Sequence, residues 1–145
     1  MSEPAQSFEN HAKFVRAYHG VAFPMLLVPT LWFAYQAVTD FSVNALMFPV
    51  FLVGLIIVML FTRLFPLGVQ DRVIRLEEQM RLARLLPDDL QDRVGDFTTN
   101  QLIGLRFAPD DELPELARRV LDEGISDRKT IKQAIKNWRA DNQRI

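Results

Sequence analysis

The stretch AYHGVAFPMLLVPTLWFAYQAVTDFSVNALMFPVFLVGLIIVMLFT, residues 17–62, decides how this chain folds. It carries one formal charge, Asp40, which divides it into the uncharged runs Ala17–Thr39 and Phe41–Thr62, of 23 and 22 residues. At ~1.5 Å per residue each run measures roughly 33 Å as a helix, against ~30 Å of bilayer hydrocarbon. The connection from Thr39 to Asn44 is too short for anything but antiparallel neighbours. The reading is all-α: a transmembrane helical hairpin followed by a small cytosolic multi-helix domain.

Four segments follow from that stretch. Residues 1–16 form a polar N-terminal arm, residues 17–62 the hairpin (17–39 and 41–62), residues 63–69 an exit bend at Pro66 and Gly68, and residues 70–145 the helical domain. Whole-chain averages conceal this division: net charge is −1 and mean hydropathy +0.03. The charges are segregated, with 14 of 17 Lys+Arg and 15 of 18 Asp+Glu in residues 64–145. The first apolar run starts late, after a polar segment and without a small-residue cleavage site, so it is expected to be a retained anchor and not a removable signal.

Orientation follows from the flanking cations. Lys13 and Arg16 precede the first span, Arg63, Arg72, Arg75 and Arg81 follow the second, and the turn has no Lys or Arg. The positive-inside rule places both termini in the cytoplasm. Pro24 and Pro29 in the first span each remove a backbone donor, and Thr30 is a candidate partner for a freed carbonyl. Gly54 stands without a GxxxG partner, so close-packed dimerisation through the second span has no specific signal.

From Gln70 the pattern turns amphipathic, with Val69, Val73, Leu76, Met80 and Ala83 recurring at spacings of four and three. Asp71/Arg75 and Glu77/Arg81 are i,i+4 pairs, worth ~0.3–0.5 kcal/mol each on an exposed face. The stripe either joins the domain core or lets the helix self-associate. Beyond Pro87 the expected helices are short: one opened by Asp88 and Asp89 and ended by Gly95, one capped by Thr98 or Thr99 and running through Phe107, one from Leu113 to Glu123 capped by Asp110 or Asp111, and one from Ser126 or Asp127 to about Asp141. Gly124 is the expected C′ residue of the third.

On the last helix Ile131, Ile135 and Trp138 form an apolar stripe, which places Trp138 in the core. Lys129, Lys132, Lys136 and Arg139 form a basic stripe beside it. Residues 125–145 hold six basic and two acidic side chains, and residues 85–124 hold four basic and ten acidic. The basic stripe therefore either packs near the acidic segment or serves as a surface for a partner or for anionic lipid headgroups, where each cation is worth ~1 kcal/mol. Nucleic acid is not an expected partner, since the chain is not basic and shows no recognition fold.

Signals for catalysis are weak. The chain has no Cys, only His11 and His19, and no Walker, GxSxG, HExxH or GxGxxG motif. No Asp, Glu, Lys or Arg lies inside either span, where proton relays and ion paths need them. No catalytic residue, cofactor or metal site is expected.

Three blocks, QDRVIRLEEQMRLARLLP (Gln70–Pro87), QLIGLRFAPDDELPEL (Gln101–Leu116) and DRKTIKQAIKNWRAD (Asp127–Asp141), resemble an uncharacterised family of small bacterial two-helix membrane proteins grouped as a domain of unknown function. The resemblance extends over nearly the whole chain and implies a bacterial inner-membrane protein with a helical cytosolic domain. It brings no activity and no site residues. The expected role is a non-catalytic, membrane-anchored interaction or scaffold module; the alternative is an accessory subunit of a larger membrane complex such as a transporter. Expected partners are the lipid bilayer, a membrane protein or a second copy of the chain.

Overall fold

The computed structural model describes residues 6–9 and 14–141. Every regular element among them is helical. A π-helical turn, Ala17–Ala22, leads into α1 (Phe23–Thr39); α2 (Val43–Leu85), α3 (Asp88–Gln91), α4 (Thr99–Leu105), α5 (Leu113–Asp122) and α6 (Arg128–Gln133) follow, with a 3₁₀ turn at Val94–Asp96. The chain divides into two compact units, one of residues 13–66 and the other of residues 67–145 with residues 1–12.

The first unit is an antiparallel hairpin. Ser42 starts α2, its Oγ accepting from the Ala45 N–H at 3.0 Å. Phe33 and Phe48 pack with tilted rings near the turn, their centroids 4.9 Å apart, and the Tyr18 hydroxyl donates to the Met59 carbonyl at the open end at 2.9 Å. The π turn sits just before Pro24, in the first turn of α1. Its wider winding relaxes the clash that a proline ring makes with the preceding turn. Thr30 Oγ1 donates to the Leu26 carbonyl at 2.6 Å, not to Met25, whose carbonyl is the one Pro29 deprives of a donor. Of α1, only Thr30 and Ala37 are buried. Both apolar helices are long enough to cross a membrane.

Residues 63–69, expected as an exit bend, are helical. α2 runs unbroken through Pro66 and Gly68 for 43 residues. Pro66 removes a single i→i−4 bond, and the intact turns on both sides hold the helix through it. The boundary between the two units nevertheless falls at Pro66/Leu67.

The second unit is built by specific chain terminators around a small core. Thr98 and Gln101 form a capping box: Thr98 Oγ1 accepts from the Gln101 N–H at 3.3 Å and Gln101 Oε1 accepts from the Thr98 N–H at 2.8 Å. The same Gln101 side chain donates to the Ile125 carbonyl at 3.0 Å, tying α4 to the segment before α6. α5 closes in a Schellman motif, with Gly124 at φ 63°, Ile125 N–H on Val120 O at 3.0 Å and Gly124 N–H on Leu121 O at 3.3 Å. Asp127 caps α6 by accepting from the Thr130 N–H at 2.8 Å. Leu82, Leu102, Leu105, Phe107, Val120 and Ile131 are fully enclosed.

Several boundaries differ from the sequence expectation. α3 ends at Gln91, and Gly95 lies inside the 3₁₀ turn. α4 ends at Leu105, two residues before Phe107. Glu112, and neither Asp110 nor Asp111, occupies the N-cap position of α5. Its carboxylate instead accepts the Lys136 and Asn137 N–H groups at 2.8 and 3.2 Å. That capture ends α6 at Gln133, well short of Asp141. Trp138 thus leaves the helix, yet its half-buried ring packs on Phe107 with centroids 4.7 Å apart.

α4 and α6 approach so closely that a Cβ on Gly104 would lie 2.9 Å from both Cβ and Cγ2 of Ile131. Both of those atoms sit at the stem of a fully buried side chain, which cannot swing aside. Gly104→Ala should destabilise this unit by ~1–3 kcal/mol through overpacking, outweighing the ~1 kcal/mol that Ala gains in helix propensity. Gly95→Ala, which meets nothing within 4 Å, is the control. Denaturant unfolding of the full chain in micelles, followed by Trp138 emission in a Trp32→Phe background, measures both; equal midpoints would refute the packing argument.

Candidate functional site

α2 carries two apolar rows, and the domain uses the less obvious one. Ile74, Glu78, Leu82 and Leu86 follow one another at spacings of four, and all are buried. The row places a carboxylate, Glu78, on the core side of the helix. Arg81 lies one helical turn further on and is buried with it, at 5% and 8% side-chain exposure.

Arg81 is the centre of the resulting cluster. Its Nη1 donates to Glu78 Oε2 at 3.1 Å, its Nη2 to the Ala108 carbonyl at 2.7 Å, and Nε and Nη2 both to Asp110 Oδ1 at 2.8 and 2.6 Å. One guanidinium therefore binds α2 to the loop between α4 and α5 with charge-assisted bonds. Arg139 approaches Glu78 Oε1 at 3.7 Å, and Arg106 approaches Asp141 Oδ2 at 3.4 Å. The Arg139 N–H donates to the Phe107 carbonyl at 2.8 Å. Gln6 accepts the Asp141 N–H at 2.8 Å, so this part of the N-terminal arm is pinned against the C-terminal segment.

Phe107 lies directly beneath. The Arg106 guanidinium sits 4.6 Å and the Lys132 ammonium 4.9 Å from its ring centroid. Above the cluster opens a cleft of about 640 Å³, with Arg81, Arg84, Arg106 and Arg139 facing Glu77, Glu78 and Asp141.

Two carboxyls of the cluster are shifted in opposite directions. Burial pushes Glu78 above the usual carboxylate range, against the opposing pull of Arg81. The hydrogen bond from Arg81 holds the exposed Asp110 below it. The linkage signs oppose each other as well. A raised acid takes up a proton on folding, so its stabilising contribution is present at low pH and is lost as pH rises through the folded value. A lowered acid contributes above its unfolded value, and that contribution is lost as pH falls. Arg81 opposes the effect of burial on Glu78 by favouring its ionised form.

The basic residues picked out in the sequence are scattered. Lys132 is buried over Phe107, Lys136 and Lys129 are exposed, and Arg139 is exposed beside Glu78. With α6 ending at Gln133, only Lys129 and Lys132 stand on the helix, so helical spacing does not align all four. Glu77 and Arg81, expected to pair on an exposed face, do not: Arg81 turns inward to Glu78 and Asp110. The Glu78 row was legible as a period-four pattern, but the apolar stripe on the other side of α2 is stronger. His11 and Lys13 lie outside the described residues. His19 contacts its own helix, with Nδ1 3.0 Å from the Val15 carbonyl. Among the described residues no three His, Asp or Glu side chains converge as a metal site.

The chain matches the family of unknown function DUF6526 over residues 1–145 and belongs to it. No curated protein and no solved structure matches it.

Arg81→Met should cost ~3–5 kcal/mol at the alkaline end of the accessible range, where Glu78 would be left charged and uncompensated in a buried position. The deficit should shrink as pH falls and Glu78, whose carboxyl burial raises, takes up its proton. Adding Glu78→Gln should recover part of the loss at the higher pH and little at the lower. A deficit independent of pH would show that Arg81 acts only through the Ala108 carbonyl and packing. Unfolding midpoints by Trp138 emission, again with Trp32→Phe, provide the readout.

Proposed function

We propose that this DUF6526 member is a non-catalytic, membrane-anchored interaction module of the bacterial inner membrane. Residues 17–62 cross as a hairpin, and the helical unit beginning at residue 67 lies in the cytosol with both termini. The observation that carries this reading is the outward-facing apolar surface of the hairpin, where Val38 and Phe41 are 83% and 72% exposed. Soluble monomers rarely leave more than a few hundred Å² of contiguous apolar surface in water, at ~25 cal/mol per Å². Lipid removes that cost. Outside its proline sites a helix satisfies its backbone groups internally along its length, which is the condition for crossing hydrocarbon.

The orientation rests on the Lys and Arg that flank the spans and are missing from the turn. The helical domain supports an interaction role because its charged cluster ties elements of the same chain together: Arg81 binds α2 to the α4–α5 loop. Lys129, Lys136 and Arg139 are exposed cations for an acidic partner or anionic headgroups, and Lys132 is withdrawn from that set by its burial.

One feature favours the second reading, an accessory subunit of a larger membrane complex. Ala34, Ala37, Pro49 and Val53 line an apolar groove of about 500 Å³ between the two spans, shaped for a further side chain or helix. Sizing after mild detergent extraction separates the two: a stable heteromer supports the accessory subunit, a monomer or homo-oligomer the self-contained module.

A reporter active only in the periplasm should be active when inserted at Ser42 and silent when fused after Ile145. The opposite pattern would reverse the orientation. Release of the protein by a carbonate wash would remove the hairpin reading altogether.

A further inference from the structure

The stripe Val69, Val73, Leu76, Met80 and Ala83 does not join the domain core. Leu76 and Met80 are 62% and 69% exposed, and the other three are exposed too. At 3.6 residues per turn this stripe lies on about the opposite side of α2 from the buried row of Ile74, Glu78 and Leu82. Its spacing of four, three, four and three is the a/d pattern of a heptad, with Val73 and Met80 at a and Val69, Leu76 and Ala83 at d.

We propose that this face of α2 pairs in parallel with the same face of a second copy of the chain. The occupant is set by three properties of the helix. A β-branched residue at a with Leu at d, here Val73 and Leu76, favours two parallel strands. The g and e positions are complementary: Arg72 at g faces Glu77 at e of the next heptad in the partner, and two-fold symmetry makes that contact twice. Arg72 and Glu77 are both exposed, and neither is ion-paired within the chain among the described residues. Gln79 at g faces Arg84 at e, so no like charges oppose one another. Finally, Ile74, Glu78, Arg81 and Leu82, which hold the domain to α2, fall at b, c and f, outside the seam, and Glu77 and Arg84 at e stand at the border between the seam and the charged cleft. Pairing therefore leaves each domain intact.

Two heptads are short for an isolated coiled coil, since helices of this length are marginal in water. Here the helix is already formed as part of α2. The pairing rests on the membrane-anchored reading in one respect: two copies inserted in the same sense are held parallel and at high effective concentration.

The chain contains no Cys, so single cysteines report contacts without background. A parallel two-fold pair sets each seam residue against its own copy. In washed membranes holding the full-length protein, Val73→Cys and Leu76→Cys should give disulfide-linked dimers under mild oxidation, and Asp71→Cys and Arg75→Cys should give few. Arg72→Glu should lower the Leu76→Cys dimer yield severalfold, and Arg72→Glu with Glu77→Arg should restore it. Equal yields on both faces, or none at the seam, would overturn the pairing; so would an undiminished yield after Arg72→Glu. A carbonate wash of the same membranes keeps the two ideas apart: release refutes the anchor, whereas retention without seam-specific linkage refutes the dimer alone.

Discussion

The Arg81 guanidinium is the contact on which the helical domain turns. It leaves α2, enters a buried setting and reaches a carboxylate on its own helix, a backbone carbonyl and a second carboxylate on the α4–α5 loop. Buried ion pairs add little net stability compared with a well-packed apolar core, because desolvation offsets much of the attraction. Their effect here is on geometry. The planar fork allows one placement of the Ala108–Asp110 loop against α2, and a generic leucine contact at the same point would allow many. The loop in turn fixes Phe107, whose ring carries Arg106, Lys132 and Trp138 and whose carbonyl catches Arg139.

α2 is where the two halves of the chain meet two different demands. Its first part is apolar all round, and its later part has one face for its own domain and another that stays exposed. A helix that packs on one side only needs a single stripe. The second stripe is surplus to the fold of the isolated chain, and a sheltered environment or a partner accounts for it better than chance. The division of charge along the chain has the same logic. Charges are almost absent from residues 17–62 and dense after Arg63, as a chain addressing lipid and then water would need.

The short helices of the domain have little stability of their own. α3, α4 and α6 have four, seven and six residues, below the length at which isolated helices persist. They depend on local terminators and on acceptors from elsewhere in the chain. Glu112 illustrates the second kind. A cap for α5 by position, it spends its carboxylate on the Lys136 and Asn137 amides and so stops α6 early. Lys136 and Arg139 therefore stand off the helix that carries Lys129 and Lys132, because the backbone donors of their segment are taken by another element.

The sequence by itself determined what local chemistry controls. The two apolar runs, the short turn, the Thr98 and Asp127 caps and the Gly124 terminator depend on residue type and near spacing, and each was legible for that reason. Tertiary structure decided which of two competing stripes on α2 faces inward, because burial depends on what the facing elements offer. The α4–α5 loop offers a carboxylate and a carbonyl, which draw in Arg81, and Arg81 in turn pairs with Glu78, so that this side is buried and Leu76 and Met80 are not. It also decided that α2 passes through Pro66 and that α6 ends at Gln133, since both outcomes depend on hydrogen-bond partners and helical turns that no short window of sequence contains.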